Sequence, residues 1–168
     1  MTPSPSSALP TPALRWGTAG ARAAWGAILI VSGAVAIAGS NTYVLLLLLG
    51  GVLAHLAGWA IMPADGWRRV TAAVISTPAA LLLLTGPQFL GILVLPSLGW
   101  LLVRHRPARS YPTLVFVLAG AVIVARLFPD YSGMLPALGI EFLVIIASAW
   151  VARVLAAHVA RRPGRAPE

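Results

Sequence analysis

Six apolar runs dominate the chain, at residues 23–39, 43–62, 69–85, 87–103, 111–128 and 136–158. Crossing the hydrocarbon core of a bilayer as a helix takes about 20 residues, with about 17–25 tolerated. All six runs reach that length. Those at 69–85 and 87–103 lie near its lower limit, so a re-entrant pair is the alternative there. Helix-breaking clusters separate the runs: Gly39-Ser40-Asn41-Thr42, Pro63-Ala64-Asp65-Gly66, Gly86-Pro87 and Pro129-Asp130-Tyr131-Ser132-Gly133. Pro87 stands at a first-turn position, where a missing N–H costs nothing. The predicted fold class is all-α, a polytopic membrane bundle of about six transmembrane helices over residues 18–160.

The flanks differ from this core. Residues 1–17 carry Pro3, Pro5, Pro10 and Pro12 among several Ser and Thr, the composition of a disordered tail. Residues 161–168 form a short basic tail. A secretory signal, with residues 23–33 as its apolar core and Ala34-Val35-Ala36 as its cleavage site, is disfavoured because the next apolar run begins almost at once.

Composition explains why the solvent must be lipid. Of 168 residues 59% are hydrophobic and 10% charged, against about 25% charged in an ordinary soluble domain. A net charge of +8 raises nucleic acid as a partner, but the twelve arginines sit in short clusters between apolar runs. Anionic headgroups suit that arrangement better. With the N-terminus in the cytoplasm, the inner segments hold Arg15, Arg22, Arg68, Arg69, Arg104, Arg106, Arg109, Arg153, Arg161, Arg162 and Arg165, and only Arg126 falls outside. That asymmetry predicts a plasma-membrane protein with both termini inside, its cytoplasmic face against anionic lipid. An odd number of spans would split the clusters. Trp16, Trp25, Trp59, Trp67, Trp100 and Trp150 all fall in the same half and read as interfacial rings. Gly58-Trp59, Gly99-Trp100 and Ala149-Trp150 form a faint repeat read in the same way.

Chemistry is sparse. There is no cysteine, which removes disulfides and thiolate sites. His55, His105 and His158 are too scattered for a metal, and no Gly-rich phosphate loop is present. No cofactor is expected. Glu141 and Arg153 are separated by eleven residues, about 16 Å of helix, so both cannot clear a core of about 30 Å. Arg153 can snorkel. Glu141 is then either an acid held within the bundle or a wet residue at the outer rim. Arg126, near the outer end of the fifth run, either pairs with Glu141 or reaches outer phosphates, and its depth favours the phosphates.

A candidate polar layer lies at mid-depth. Pro78 and Pro96 fall near the centre of adjacent helices, each removing a helical hydrogen bond. Ser76, Thr77 and Ser97 are placed to satisfy freed carbonyls, with Ser32, His55 and Ser148 at similar height. If both helices kink together, a pocket lined by His55, Thr77 and Ser97 opens between them, the kind of interrupted mid-membrane site that transporters use. Small residues recur every four positions at Ala19, Ala23 and Ala27, and again at Ser148, Ala152, Ala156 and Ala160, as packing stripes.

Three functions are compatible with this pattern. The leading one is a non-catalytic membrane component of a larger assembly, packed against other membrane subunits or its own copies. The alternative is a small-solute transporter, or the membrane subunit of one, built on His55, Thr77, Ser97, Glu141 and Arg126. In size, topology and Ala-x-x-x-Ala spacing the chain resembles the substrate-binding subunits of energy-coupling-factor vitamin transporters. With so few helices, a transporter of this size needs a partner or a homo-oligomer. An intramembrane enzyme is disfavoured, since neither Ser32-Gly33 nor Ser132-Gly133 has a nucleophile motif around it and only Glu141 is an acid at depth.

Overall fold

The computed structural model describes residues 17–160, and the tails expected at 1–17 and 161–168 fall outside it apart from Gly17. The described residues are helical, with no strand among them. Six α-helices run in chain order: α1 (Ala19–Ala38), α2 (Leu45–Ile61), α3 (Gly66–Leu82), α4 (Val94–Val103), α5 (Leu114–Leu127) and α6 (Met134–Ala160). Tighter 3₁₀ turns extend four of them: Leu83–Thr85 follows α3, Pro87–Leu93 precedes α4, Ala108–Thr113 precedes α5, and Tyr131–Gly133 precedes α6.

Local chemistry sets these limits. Thr18 caps α1, its Oγ1 accepting from the Ala21 N–H at 3.1 Å. Gly39 ends α1, and Ser40 turns its hydroxyl back to the Ile37 carbonyl at 2.7 Å. Gly86 separates the 3₁₀ stretches at φ +118°, a conformation open to a residue without Cβ. His105 closes α4 at φ 50°, and its Nε2 lies 3.7 Å from Asp65.

Four helical segments are long and apolar enough to cross a membrane: Ala19–Ala38, Gly66–Thr85, Ala108–Leu127 and Tyr131–Ala157. Leu45–Ile61 and Pro87–Val103 are apolar and shorter, at 10–17 residues. Outward faces are rich in Leu, Val and Ile, including Leu46, Leu53, Val74, Ile123 and Leu143. Such a surface suits lipid rather than water.

The closest packing is between α1 and α2. A Cβ placed on Gly33 would lie 2.6 Å from the Gly51 carbonyl oxygen, and one on Gly58 2.7 Å from the Gly26 carbonyl oxygen. The reciprocal positions Gly51 and Gly26 are equally blocked, each at 2.9 Å from the partner glycine's carbonyl. Two glycine pairs, Gly26–Gly58 and Gly33–Gly51, therefore let antiparallel backbones touch. Within each helix the glycines are one heptad apart, a spacing that keeps one seam facing its partner. The Ala19, Ala23 and Ala27 stripe is not this seam: of its three members only Ala23 is buried.

Two apolar clusters fill the bundle. The larger joins Ala34, Ile37 and Ala38 of α1 to Leu83, Leu90, Leu93, Ala121 and Val124, and to Met134, Ala137 and Leu138 of α6. Tyr131 ties the same end together, its hydroxyl donating to the Ala38 carbonyl at 2.7 Å. The smaller cluster, Ile30, Trp59, Met62, Ala72 and Val103, lies toward the other end.

Candidate functional site

His55 sits on the face of α2 that meets α1 and is 1% exposed. Its Nδ1 is 3.1 Å from the Ile30 carbonyl oxygen, and its Nε2 is 3.1 Å from Ser76 Oγ and 3.2 Å from Trp59 Nε1. These partners fix the tautomer. A carbonyl only accepts, so Nδ1 carries the hydrogen and donates to Ile30. An indole N–H only donates, so Nε2 is bare and accepts from Trp59 and from the Ser76 hydroxyl. Three helices are thereby joined through one neutral imidazole. Trp59 is buried to the same degree. It is not the interfacial ring expected from its position, because its N–H has a partner inside the bundle.

The other members of the anticipated polar layer are dispersed. Ser97 donates to the Leu93 carbonyl, four residues back in its own segment, at 2.8 Å. Thr77 is half-buried, its hydroxyl without a hydrogen-bond partner. Pro78 is exposed on the outside of α3, and Pro96 stands in the first turn of α4. There its missing N–H would have had no α-helical acceptor within α4, so it marks a helix start rather than a kink.

A cavity of about 180 Å³ does occupy the middle of the bundle. Of the expected lining residues, His55 and Ser97 are on its wall and Thr77 is not; Pro96 is there as well. The rest of the wall comes from Ala27, Ile30 and Val31 of α1, Trp100 and Leu101 of α4, Val117 of α5, and Phe142, Ile145 and Ile146 of α6. With the His55 nitrogens and the Ser97 hydroxyl committed to internal acceptors and donors, the wall presents mainly carbon. The Ser148 hydroxyl, also on this wall, is buried without a partner.

Glu141 lies apart from the cavity, on α6 against α5. It is 0% exposed, which decides for an acid held within the bundle over a wet rim residue. Neither carboxyl oxygen has a hydrogen-bond partner. Gly120 makes the space, since a Cβ there would come within 3.2 Å of Glu141 Oε2. Arg126 is exposed in the last turn of α5, and no ion pair joins it to Glu141. The acid therefore keeps its full desolvation penalty. Groups that could hold a metal are absent among the described residues.

Comparison with known proteins adds no assignment: no family model, no curated protein and no solved structure matches this chain.

Proposed function

We propose that the chain is a plasma-membrane protein that crosses the bilayer six times, with both termini cytoplasmic, and serves as a non-catalytic component of a larger membrane assembly. Helix geometry supports six crossings. At 1.5 Å per residue, α2 measures about 25 Å. The seven 3₁₀ residues ahead of α4 rise by about 2.0 Å each and stretch residues 87–103 to about 29 Å, close to the hydrocarbon thickness. Clustering of Arg68, Arg104, Arg106 and Arg153 at one end of the bundle supports the orientation.

One observation carries the functional reading. His55, the residue best suited to a central reaction or polar binding site, is spent on three structural hydrogen bonds. What remains among the described residues is a scaffold with lipid-ready faces and no positioned nucleophile or acid–base pair. Purification in mild detergent tests this. A stoichiometric membrane partner or a homo-oligomer is expected. A monomer that moves a solute unaided into proteoliposomes would overturn it.

Topology has its own test, because the chain lacks cysteine. Thr42→Cys and Ser132→Cys should react with an impermeant thiol reagent in intact cells, and Ala108→Cys should not.

Glu141 favours transport as a second reading, since buried intramembrane acids commonly mark ion or substrate paths. Proteoliposomes holding a pH dye discriminate. On this reading the wild type relaxes an imposed proton gradient and Glu141→Gln does not.

A further inference from the structure

The cavity has a side door. At one end α1 and α6 are closed together by Ala34, Ile37 and Ala38 against Met134, Ala137 and Leu138. Toward the other end the cavity wall includes Val31 of α1, 39% exposed, and Ile146 of α6, 64% exposed. Wall residues that face outward leave a lateral opening between these two helices. An apolar cavity of about 150 Å³ stays dry and admits a hydrocarbon guest, and this one is larger.

A cluster of arginines stands beside the opening. Arg153 is four residues beyond Ala149, a wall residue, hence on the same face of α6 and about 6 Å further along. Arg104 lies over the ring of Trp100, also a wall residue, at 5.8 Å. Arg106 lies within electrostatic reach of both charges. Its guanidinium is held below its usual range, first by partial burial and then by the positive charges of Arg104 and Arg153. Among the described residues none of the three has a carboxylate partner. The acid at this end, Asp65, is occupied by Arg68 at 3.5 Å and His105 at 3.7 Å. Three like charges at one end of the bundle, without a carboxylate partner among the described residues, suit an anion.

We infer that the α1–α6 opening is a binding site for an anionic lipid, with a hydrocarbon chain in the central cavity and the phosphate on Arg106 and Arg153. The chain fills space that helix packing leaves empty. The phosphate relieves the mutual repulsion of the arginines. A zwitterionic lipid offers the same chains without the net charge, and a free headgroup offers the charge without the chains. The site requires both. This inference rests on the reading that the chain spans a membrane, and it is independent of whether the protein has a partner subunit.

The full-length protein in detergent, titrated with lipid and read by native mass spectrometry, provides the test. Phosphatidylglycerol should be retained about tenfold more than phosphatidylcholine, and glycerol phosphate should not compete. Arg106→Ala combined with Arg153→Ala should abolish that preference while leaving the melting temperature unchanged. Ala149→Trp, which plugs the opening, should reduce retention of both lipids. Equal retention of the two lipids by the wild type would overturn the site. So would an unchanged preference in the arginine variant, effective competition by glycerol phosphate, or full retention by Ala149→Trp. Labelling from the wrong side in the cysteine experiment would count against the membrane orientation instead, and lipid retention in detergent does not depend on that result.

Discussion

The α1–α2 pair and the α5–α6 pair use glycine and a buried polar residue to opposite effect. Between α1 and α2, four glycines remove side chains so that backbones touch, and His55 at the seam has a partner for each ring nitrogen. Between α5 and α6, Gly120 makes room for a carboxyl that has no partner. The first arrangement gains dispersion contacts and satisfies its polar groups, as a load-carrying interface in lipid requires. The second retains a cost that packing alone does not explain. Stability is therefore concentrated in the first pair, and an unsatisfied carboxyl lies in the second.

Several substitutions would break or sharpen that contrast. Gly33→Leu or Gly51→Leu should have the largest effect, because the obstructing atoms belong to backbone and cannot rotate away. A loss of about 3 kcal/mol, the upper range for overpacked cores, should lower the melting temperature in detergent by roughly 10 °C. A normal melting temperature would show that the helices are not in contact there.

His55→Leu comes next. It strands the Trp59 N–H and the Ser76 hydroxyl, at a cost of about 1–3 kcal/mol. Ser76→Ala should cost about 0.6 kcal/mol, the average for hydrogen bonds between membrane helices. If Ser76→Ala proves as harmful as His55→Leu, the imidazole is not the hub described above.

Glu141→Leu should have the opposite sign. Replacing an unpartnered buried carboxyl with a hydrocarbon of similar size should raise stability by about 1 kcal/mol, read by the same thermal scan. A drop like that of His55→Leu would mean that Glu141 has a partner in the native assembly. Arg126→Ala should change stability by under about 0.5 kcal/mol. Its effect should simply add to that of Glu141→Leu in the double variant, because the two side chains do not meet.

Much of this architecture is legible in the sequence. Hydrophobic runs and their Gly and Pro punctuation locate all six helices, with edges shifted by a few residues where 3₁₀ turns intervene. The interval between Glu141 and Arg153 leaves Glu141 as either a buried acid or a wet rim residue, and only the structure, where it is buried, separates the two. Other features require three-dimensional register. Gly26, Gly33, Gly51 and Gly58 are one heptad apart within each helix, a signal present in the chain, but the more frequent alanines conceal it. Pro78 and Pro96 look equivalent by depth, yet one faces outward and the other begins a helix. Thr77 and Ser76 are adjacent and point to different sides, so only Ser76 reaches His55. Depth along a helix can be counted from sequence, whereas azimuth depends on which neighbour is chosen.

The glycine seam also bears on the order of assembly. Gly33 and Gly51 are 18 residues apart and Gly26 and Gly58 are 32 apart, so the whole seam lies within one helical hairpin. Local contacts form quickly, because little loop entropy is lost in closing them. During synthesis the α1–α2 hairpin is complete once residue 62 has emerged, before α3 exists. His55 can then donate to Ile30 and receive Trp59, but its third partner, Ser76, arrives only with α3. Until α3 is present, the imidazole of the α1–α2 hairpin is one hydrogen bond short of its final set.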